Sequence, residues 1–248
     1  MKVSVITVCL NAEQYIGQAL GSVLAQDYTD LESIVVDGGS TDGTIRIVQS
    51  MAEKDERVIY QTGPDLGISD AMNLGVERAT GTIVGHLHAD DYYLSSSVIS
   101  TVVGEMQQCK ATWATGGVLE VNASGQPLRE IPVRRYSKAR LLRNNIILHP
   151  ATFVRRSAFE AAGRFDIALK YAMDYDLWLR LANTGQPALI EQTLAGFRIH
   201  RGSLSSENRL SALEEEYFVR KRYLRGGVSR WFHALYQEVR RGREKYGI

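Results

Sequence analysis

Acidic clusters stand where apolar, β-branched runs give out. The run beginning at Val3 ends in TVCLN at Thr7–Asn11, and a second ends in VVDGGSTDGT at Val35–Thr44. A carboxylate at a strand terminus can accept hydrogen bonds from a base N–H or a ribose hydroxyl, and adjacent glycines permit the tight turn. Asp37 is therefore the first nucleotide-binding candidate. Ser40, Thr41 and Asp42 read instead as a turn and the cap of the next helix. A third run, Thr82–Ala89, leads into Asp90 and Asp91. Adjacent carboxylates repel unless a cation or donors compensate them, so the pair points to a divalent metal. Hard oxygen ligands suit Mg²⁺ or Mn²⁺, with a nucleotide diphosphate supplying further ligands.

Such groups need a scaffold that delivers them to one edge. Short β-branched runs at Val3–Val8, Ser33–Asp37, Val58–Gln61 and Thr82–His88 alternate with helical patterns such as Ile16, Ala19, Leu20, Val23 and Leu24. Alternation of this kind predicts an α/β fold with a mostly parallel sheet, whose ligands bind at the carboxyl ends of the strands. Further on, the pattern predicts a helix over 95–108, a strand over 112–121, a mobile loop over 122–143, and a strand over 151–154. Helices over 157–162 and 174–182 and a strand pair, 188–191 and 195–200, follow; only helix remains after them.

Composition narrows the function classes. The 248 residues carry 29 Lys and Arg against 28 Asp and Glu, so there is no overall basic field for nucleic acid. Charge is unevenly spread: residues 220–248 hold nine basic and two acidic side chains, a net +7, which leaves −6 on the rest. In the same segment Val228, Trp231, Phe232, Leu235, Tyr236 and Val239 recur at helical spacing. Two readings stay open for this helix: docking on the body, or resting on an anionic membrane through 220–245. Cys9 and Cys109 are too few for a disulfide framework and read as core fillers in a reducing compartment. No signal peptide and no run of 18 apolar residues is present, so the expected location is cytoplasmic, peripheral on the inner face of the cytoplasmic membrane.

Five elements in register resemble the family 2 inverting glycosyltransferases over residues 1–205. They are the first strand, VDGGSTDGT at 36–44, PDLGISDAMN at 64–73, HADD at 88–91 and DYDLWLR at 174–180. The resemblance implies the GT-A fold, a mixed, mostly parallel sheet flanked by helices, and a nucleotide-sugar donor. Domain 1–205 would comprise a nucleotide-sugar half (1–110) and an acceptor-side half (111–205), with 206–248 a helical, basic extension. By the same resemblance Thr7, Val8, Asn11 and Glu13 line the nucleotide base, and Asp37 binds base or ribose. Asp65 and Asp70 lie in a second donor-side loop, and Asp90 and Asp91 match an Asp-x-Asp-type element serving ribose and metal. His200 falls where many such enzymes place a late metal-ligating or diphosphate-contacting histidine, and Asp174 matches the catalytic base. A helix N-terminus would favour the ionised form of Asp174; Asp176 reads as a capping group. Three departures, His88, Met173 and Ser69, point to a shifted donor choice or metal geometry.

The activity implied is transfer of one sugar from a nucleotide-diphosphate sugar, a UDP-sugar first, to a hydroxyl of a glycan or lipid-linked acceptor, with Mn²⁺ or Mg²⁺ as cofactor. Cell-surface polysaccharide biosynthesis is the expected setting. The five arginines of 129–143 and His149 are further candidates to hold a pyrophosphate or lipid-linked acceptor, against a plain solvated loop. The alternative is a GT-A-like nucleotide-binding domain without turnover. A nucleotidyltransferase fits less well, because the segment after the first strand, NAEQ at 11–14, is acidic where a phosphate loop would be basic.

Overall fold

The computed structural model describes residues 1–203, 208–224 and 226–246. Strands β1 (Val3–Cys9) and β2 (Leu31–Asp37) are buried along their whole length, as strands covered on both faces must be. With β3 (Val58–Thr62) and β4 (Ile83–His86) they form a parallel array in the order β3-β2-β1-β4. Helices α1 (Ile16–Leu24), α2 (Thr44–Ala52) and α3 (Ile68–Arg78) make the crossovers. α1 buries Ile16, Ala19, Leu20 and Val23, the face read from the spacing.

The sheet then changes direction. The two-residue strand β5 (Tyr92–Tyr93) and helix α4 (Val98–Gln108) precede β6 (Trp113–Val121) and β7 (Pro127–Ile131). Helix α5 (Lys138–Arg143), a 3-10 turn (His149–Ala151), β8 (Thr152–Arg155) and α6 (Arg156–Ala161) come next, followed by α7 (Met173–Leu181) and β9 (Ala188–Arg198). The completed order is β3-β2-β1-β4-β8-β6-β9-β5, with β7 paired to β6. β8 runs antiparallel to β4 and β6, while β9 runs parallel to β6.

Two expectations are corrected. The stretch 122–143 is not a loop: Asn122 Oδ1 accepts hydrogen bonds from Ser124 and Gln126, Gly125 takes φ +82°, and the chain returns as β7 against β6. Its two prolines, Pro127 and Pro132, flank an edge strand, where no ladder hydrogen bond is lost. The expected pair at 188–200 is one continuous strand, because register shifts around Gly117 in β6 absorb the irregular middle of β9. Gly116 is required there, since a Cβ would lie 2.5 Å from the Leu194 side chain.

Two further helices, α8 (Arg209–Tyr223) and α9 (Gly227–Tyr246), lie beyond the sheet. The Tyr236 hydroxyl donates to Asn144, Gln237 donates to the Leu213 carbonyl, and Arg240 pairs with Glu216. Much of the basic surplus is thereby turned inward: Arg222 meets Asp166 and Asp176, Arg241 meets Glu214, and Arg220 is fully buried. Trp231, Leu235 and Val239 face outward, exposed by 61%, 52% and 48%. Of the expected apolar face, Tyr236 alone is seen turned inward; the side chains of Val228 and Phe232 lie outside the described residues.

Candidate active site

Strand order reverses at β1, with β2 on one side and β4 on the other, so their carboxyl ends open a crevice. Asp37 ends β2 there, 1% exposed. Its carboxylate accepts from Gly39 N, Ser40 N and Oγ, and Thr62 Oγ1 (2.6 Å). These donors hold it below the usual carboxylate range despite its burial. Both oxygens accept from the turn and from Thr62, so Asp37 shapes the end of β2 where a nucleotide is expected. Asn11 and Glu13 are likewise engaged between the two loops. Asn11 Oδ1 accepts from Thr41 N at 2.8 Å, and Glu13 accepts from Gly43 N at 2.6 Å.

What stays available on this edge is different. Thr7 Oγ1 is buried with no hydrogen-bond partner, and Val8 lies beside it on β1, 8% exposed. Asp65 accepts from Gly67 N through Oδ1, and its Oδ2 lies over Gly38, where a Cβ would come within 2.8 Å. The absence of a side chain at residue 38 is what lets this carboxylate reach the end of β2. Asp70 accepts from Leu66 N and so fixes the same loop.

Asp90 and Asp91, adjacent in sequence, separate in space. Asp91 is 2% exposed, and its Oδ1 accepts from Arg198 N at 3.0 Å. Burial, reinforced by Asp90, pushes its carboxyl well above the usual range. Asp91 therefore anchors β9 through Oδ1, while its Oδ2 is buried without a hydrogen-bond partner. Asp90 is partly exposed, with Oδ2 3.0 Å from His200 Nε2. His200 Nδ1 lies 2.9 Å from the Arg201 carbonyl, which fixes the proton on Nδ1. Nε2 then faces a carboxylate oxygen, an arrangement that a proton or a cation between the two satisfies. A carboxylate and an imidazole converging in this way suit Mn²⁺ or Mg²⁺ completed by phosphate oxygens.

Arg198 was not singled out from the sequence, yet it organises this corner. Only 2% exposed, it donates to the carbonyls of Asp90, Asn122 and Ala123 and to Gln18 Oε1 (2.6 Å), and it stacks 4.6 Å from the Tyr15 ring. Tyr15 in turn lies against His200, ring centroids 4.9 Å apart.

Between this corner and the facing helix runs a floor of rings. His88 stacks on His149 at 4.9 Å with 5° between planes, and His149 lies 6.0 Å from Trp178 of α7. Burial pushes all three imidazoles, His86, His88 and His149, below their ordinary values, His86 to about 3. Both ring nitrogens of His149 are buried without hydrogen-bond partners, an expense that a bound polar ligand would offset.

Asp174 lies one turn before Trp178, partly exposed. Asn145 Nδ2 donates to its Oδ2 at 3.1 Å and Tyr175 N to its Oδ1 at 2.5 Å. Desolvation outweighs these donors, with Glu216 adding to it, and raises the carboxyl to about 6. The helix terminus does favour the ionised form, through Tyr175 N, but burial outweighs it. Just ahead of the helix, Glu215 of α8 accepts from the backbone N–H of Lys170, Tyr171 and Ala172 at 2.5–3.1 Å. Asp176 does not cap either; it is buried and bound by Arg180, Arg222 and Tyr223, tying α7 to α8. Asn145 and Glu215 carried no signal in the sequence, since both act through contacts 29 or more residues away.

Comparison with known proteins gives one family. Residues 4–163 match the model for Glycosyl transferase family 2, so Asp174 and His200 lie beyond the matched segment. A PGL/p-HBAD biosynthesis glycosyltransferase of Mycobacterium bovis is 32% identical over 194 residues, covering 75% of this chain and 71% of the relative. Among solved structures, S. aureus TarS 1–349 in complex with UDP-GlcNAc superposes with a TM-score of 0.73 at 19% identity, covering 88% of this chain. The chain spans 65% of that TarS fragment, under two thirds of its length. The mannosyltransferase PcManGT from Pyrobaculum calidifontis, in complex with GDP-Man and Mn²⁺, gives a TM-score of 0.69 at 21% identity, covering 95% and 69% of the two chains. These structural likenesses are of fold: the sheet and flanking helices match those of GT-A glycosyltransferases.

Proposed function

The chain belongs to glycosyl transferase family 2, and from that premise we propose that it transfers one sugar, with inversion, from a nucleotide-diphosphate sugar to a hydroxyl acceptor. The observation that carries the reading is the pairing of two unlike carboxylates across one floor. Asp90 is partly exposed and paired with His200; Asp174 is held by Asn145, and burial raises its carboxyl to about 6. Carboxylates in such different surroundings divide into different roles.

The donor lies along the edge formed by Thr7, Val8, Asp65 and Asp90, with Asp37, Asn11, Glu13 and Asp70 shaping its loops. Asp90 and His200 would hold Mn²⁺ or Mg²⁺, with Asp91 supporting the strand end behind them; when bound, the ion would neutralise the departing diphosphate. Asp174 accepts the proton of the acceptor hydroxyl as that oxygen attacks the anomeric carbon from the face opposite the diphosphate. The new C–O bond forms as the bond to the diphosphate oxygen breaks, so an α-linked donor gives a β-linked product. Solved neighbours bind UDP-GlcNAc and GDP-Man, and a UDP-sugar is the donor class to try first. The acceptor is a hydroxyl of a glycan or a lipid-linked sugar in cell-surface polysaccharide biosynthesis, a reading supported by the PGL/p-HBAD biosynthesis relative. Among the described residues no helix is long and apolar enough to cross a membrane; peripheral contact falls to the outward face of α9.

The test is release of nucleoside diphosphate from a panel of UDP- and GDP-sugars by the full chain in Mn²⁺, with and without candidate acceptors. Asp174→Asn should lower turnover by about 10²–10⁴-fold with donor affinity little changed. Turnover within a few-fold of the parent would remove Asp174 as the base.

A further inference from the structure

The stretch that spacing alone marked as a loop carries a pocket of its own. Leu141 of α5 is fully buried, and the carbonyls of Leu141 and Leu142 accept the Tyr175 hydroxyl at 2.9 and 3.1 Å. Tyr136, just before the helix, packs edge-on against Trp113. With that side fixed, Arg140 and Arg143 turn outward and, with Arg134, Asn144 and Ile146, enclose a hollow of about 150 Å³.

No carboxylate among the described residues neutralises this hollow. Among the described residues, none of the three guanidinium groups has a carboxylate within ion-pair distance. Other arginines close by are paired: Arg180 with Asp176, Arg222 with Asp166, and Arg240 with Glu216. Three convergent planar donors without an internal anion are the arrangement that recognises phosphate, two N–H bonds at a time.

Position says whose phosphate it is. Asn144 lines the hollow and is held by the Tyr236 hydroxyl at 2.8 Å, and the next residue, Asn145, holds Asp174. An anion seated here is therefore coupled through one peptide unit to the group that takes the acceptor's proton. The donor diphosphate belongs instead to the corner at Asp90 and His200. We infer that Arg134, Arg140 and Arg143 form a binding site for a phosphate or diphosphate carried by the acceptor. This rests on the transferase reading above, and names the acceptor class it left open. Two sources share that chemistry, a prenyl-type lipid diphosphate and a soluble sugar phosphate.

The test is calorimetric binding of inorganic pyrophosphate to the full chain in EDTA, compared among the parent, Arg140→Ala/Arg143→Ala and Asp90→Asn, with UDP binding in Mn²⁺ measured on all three. The inference predicts that the arginine pair weakens pyrophosphate by at least about 10-fold and leaves UDP within 2-fold. Asp90→Asn should do the reverse. Co-sedimentation with phosphatidylcholine vesicles doped with a prenyl diphosphate, lost in the arginine variant and not reproduced by phosphatidylglycerol, supports the lipid source. Competition by a hexose phosphate without vesicle binding supports the soluble one. Unchanged pyrophosphate affinity in the arginine variant, or an equal loss of UDP binding, would overturn the site. Pyrophosphate binding in a parent that binds no nucleotide would overturn its assignment to an acceptor, since the failure then lies in the transferase reading.

Discussion

At the residue scale the site works by giving like side chains unlike surroundings. Asp37, Asp90, Asp91 and Asp174 are all aspartates near helix or strand ends, yet one is consumed by its own turn, one is presented, one is buried against Arg198 and one is desolvated. Sequence could name all four, because strand ends are legible; it could not rank them, because the ranking depends on Ser40, Thr62, Arg198 and Asn145 arriving from elsewhere. Two outcomes follow for Asp174. With its carboxyl at about 6, turnover should rise with pH through an apparent pKa near 6 and level off above it, as a base that must be unprotonated requires. Because the folded-state value lies above the ordinary 3.8, the group's contribution to stability is complete below about 3.8 and lost as pH rises through 6. Asp174→Asn should therefore raise the melting temperature by a few degrees at pH 8 and by little at pH 4, as measured by thermal unfolding at the two pH values. An equal shift at both would show that the carboxylate is not desolvated. For His200, replacement by Ala should raise the Mn²⁺ concentration needed for half-maximal nucleotide binding by roughly 10–100-fold; an unchanged requirement would remove it from the ligand set.

At the scale of elements, the strands that deliver the donor edge were readable from the β-branched runs, to within a residue or two. Those that frame the acceptor side were not. β7 hides behind two prolines and a run of arginines, and α5 is six residues long with no repeat to see. The contact that matters most for α7 comes from α8, whose Glu215 covers three backbone N–H groups ahead of Asp174. A cap supplied 43 to 45 residues later leaves no local trace. Glu215→Ala should leave those donors unsatisfied, at a cost of about 1–3 kcal/mol, and lower turnover while nucleotide affinity stays constant. Glu215→Gln, which keeps an acceptor oxygen, should recover part of the turnover. Loss of nucleotide binding in step with turnover would instead indicate general unfolding.

At the scale of the molecule, a body with a net charge of −6 carries a +7 tail, and the fold settles much of that imbalance internally through Arg222, Arg240 and Arg241. Both readings left open by composition find a face: α9 docks through Tyr236, Gln237 and Arg240, and turns Trp231, Leu235 and Val239 to solvent. If that outer face rests on lipid, Trp231→Asp/Leu235→Asp should abolish sedimentation with anionic vesicles at low salt without lowering the melting temperature, and parental binding that never occurs would dismiss the contact. The central claim, that the reversed edge at β1 binds a nucleotide-diphosphate sugar through Asp90 and His200, is tested most directly by thermal unfolding with UDP, GDP, dTDP and CMP, each in Mn²⁺ and in EDTA. One nucleoside diphosphate should raise the melting temperature in Mn²⁺, by the equivalent of about 2.7 kcal/mol at 100 times its dissociation constant, and lose most of that effect in EDTA. No shift with any nucleotide in either condition would contradict the account.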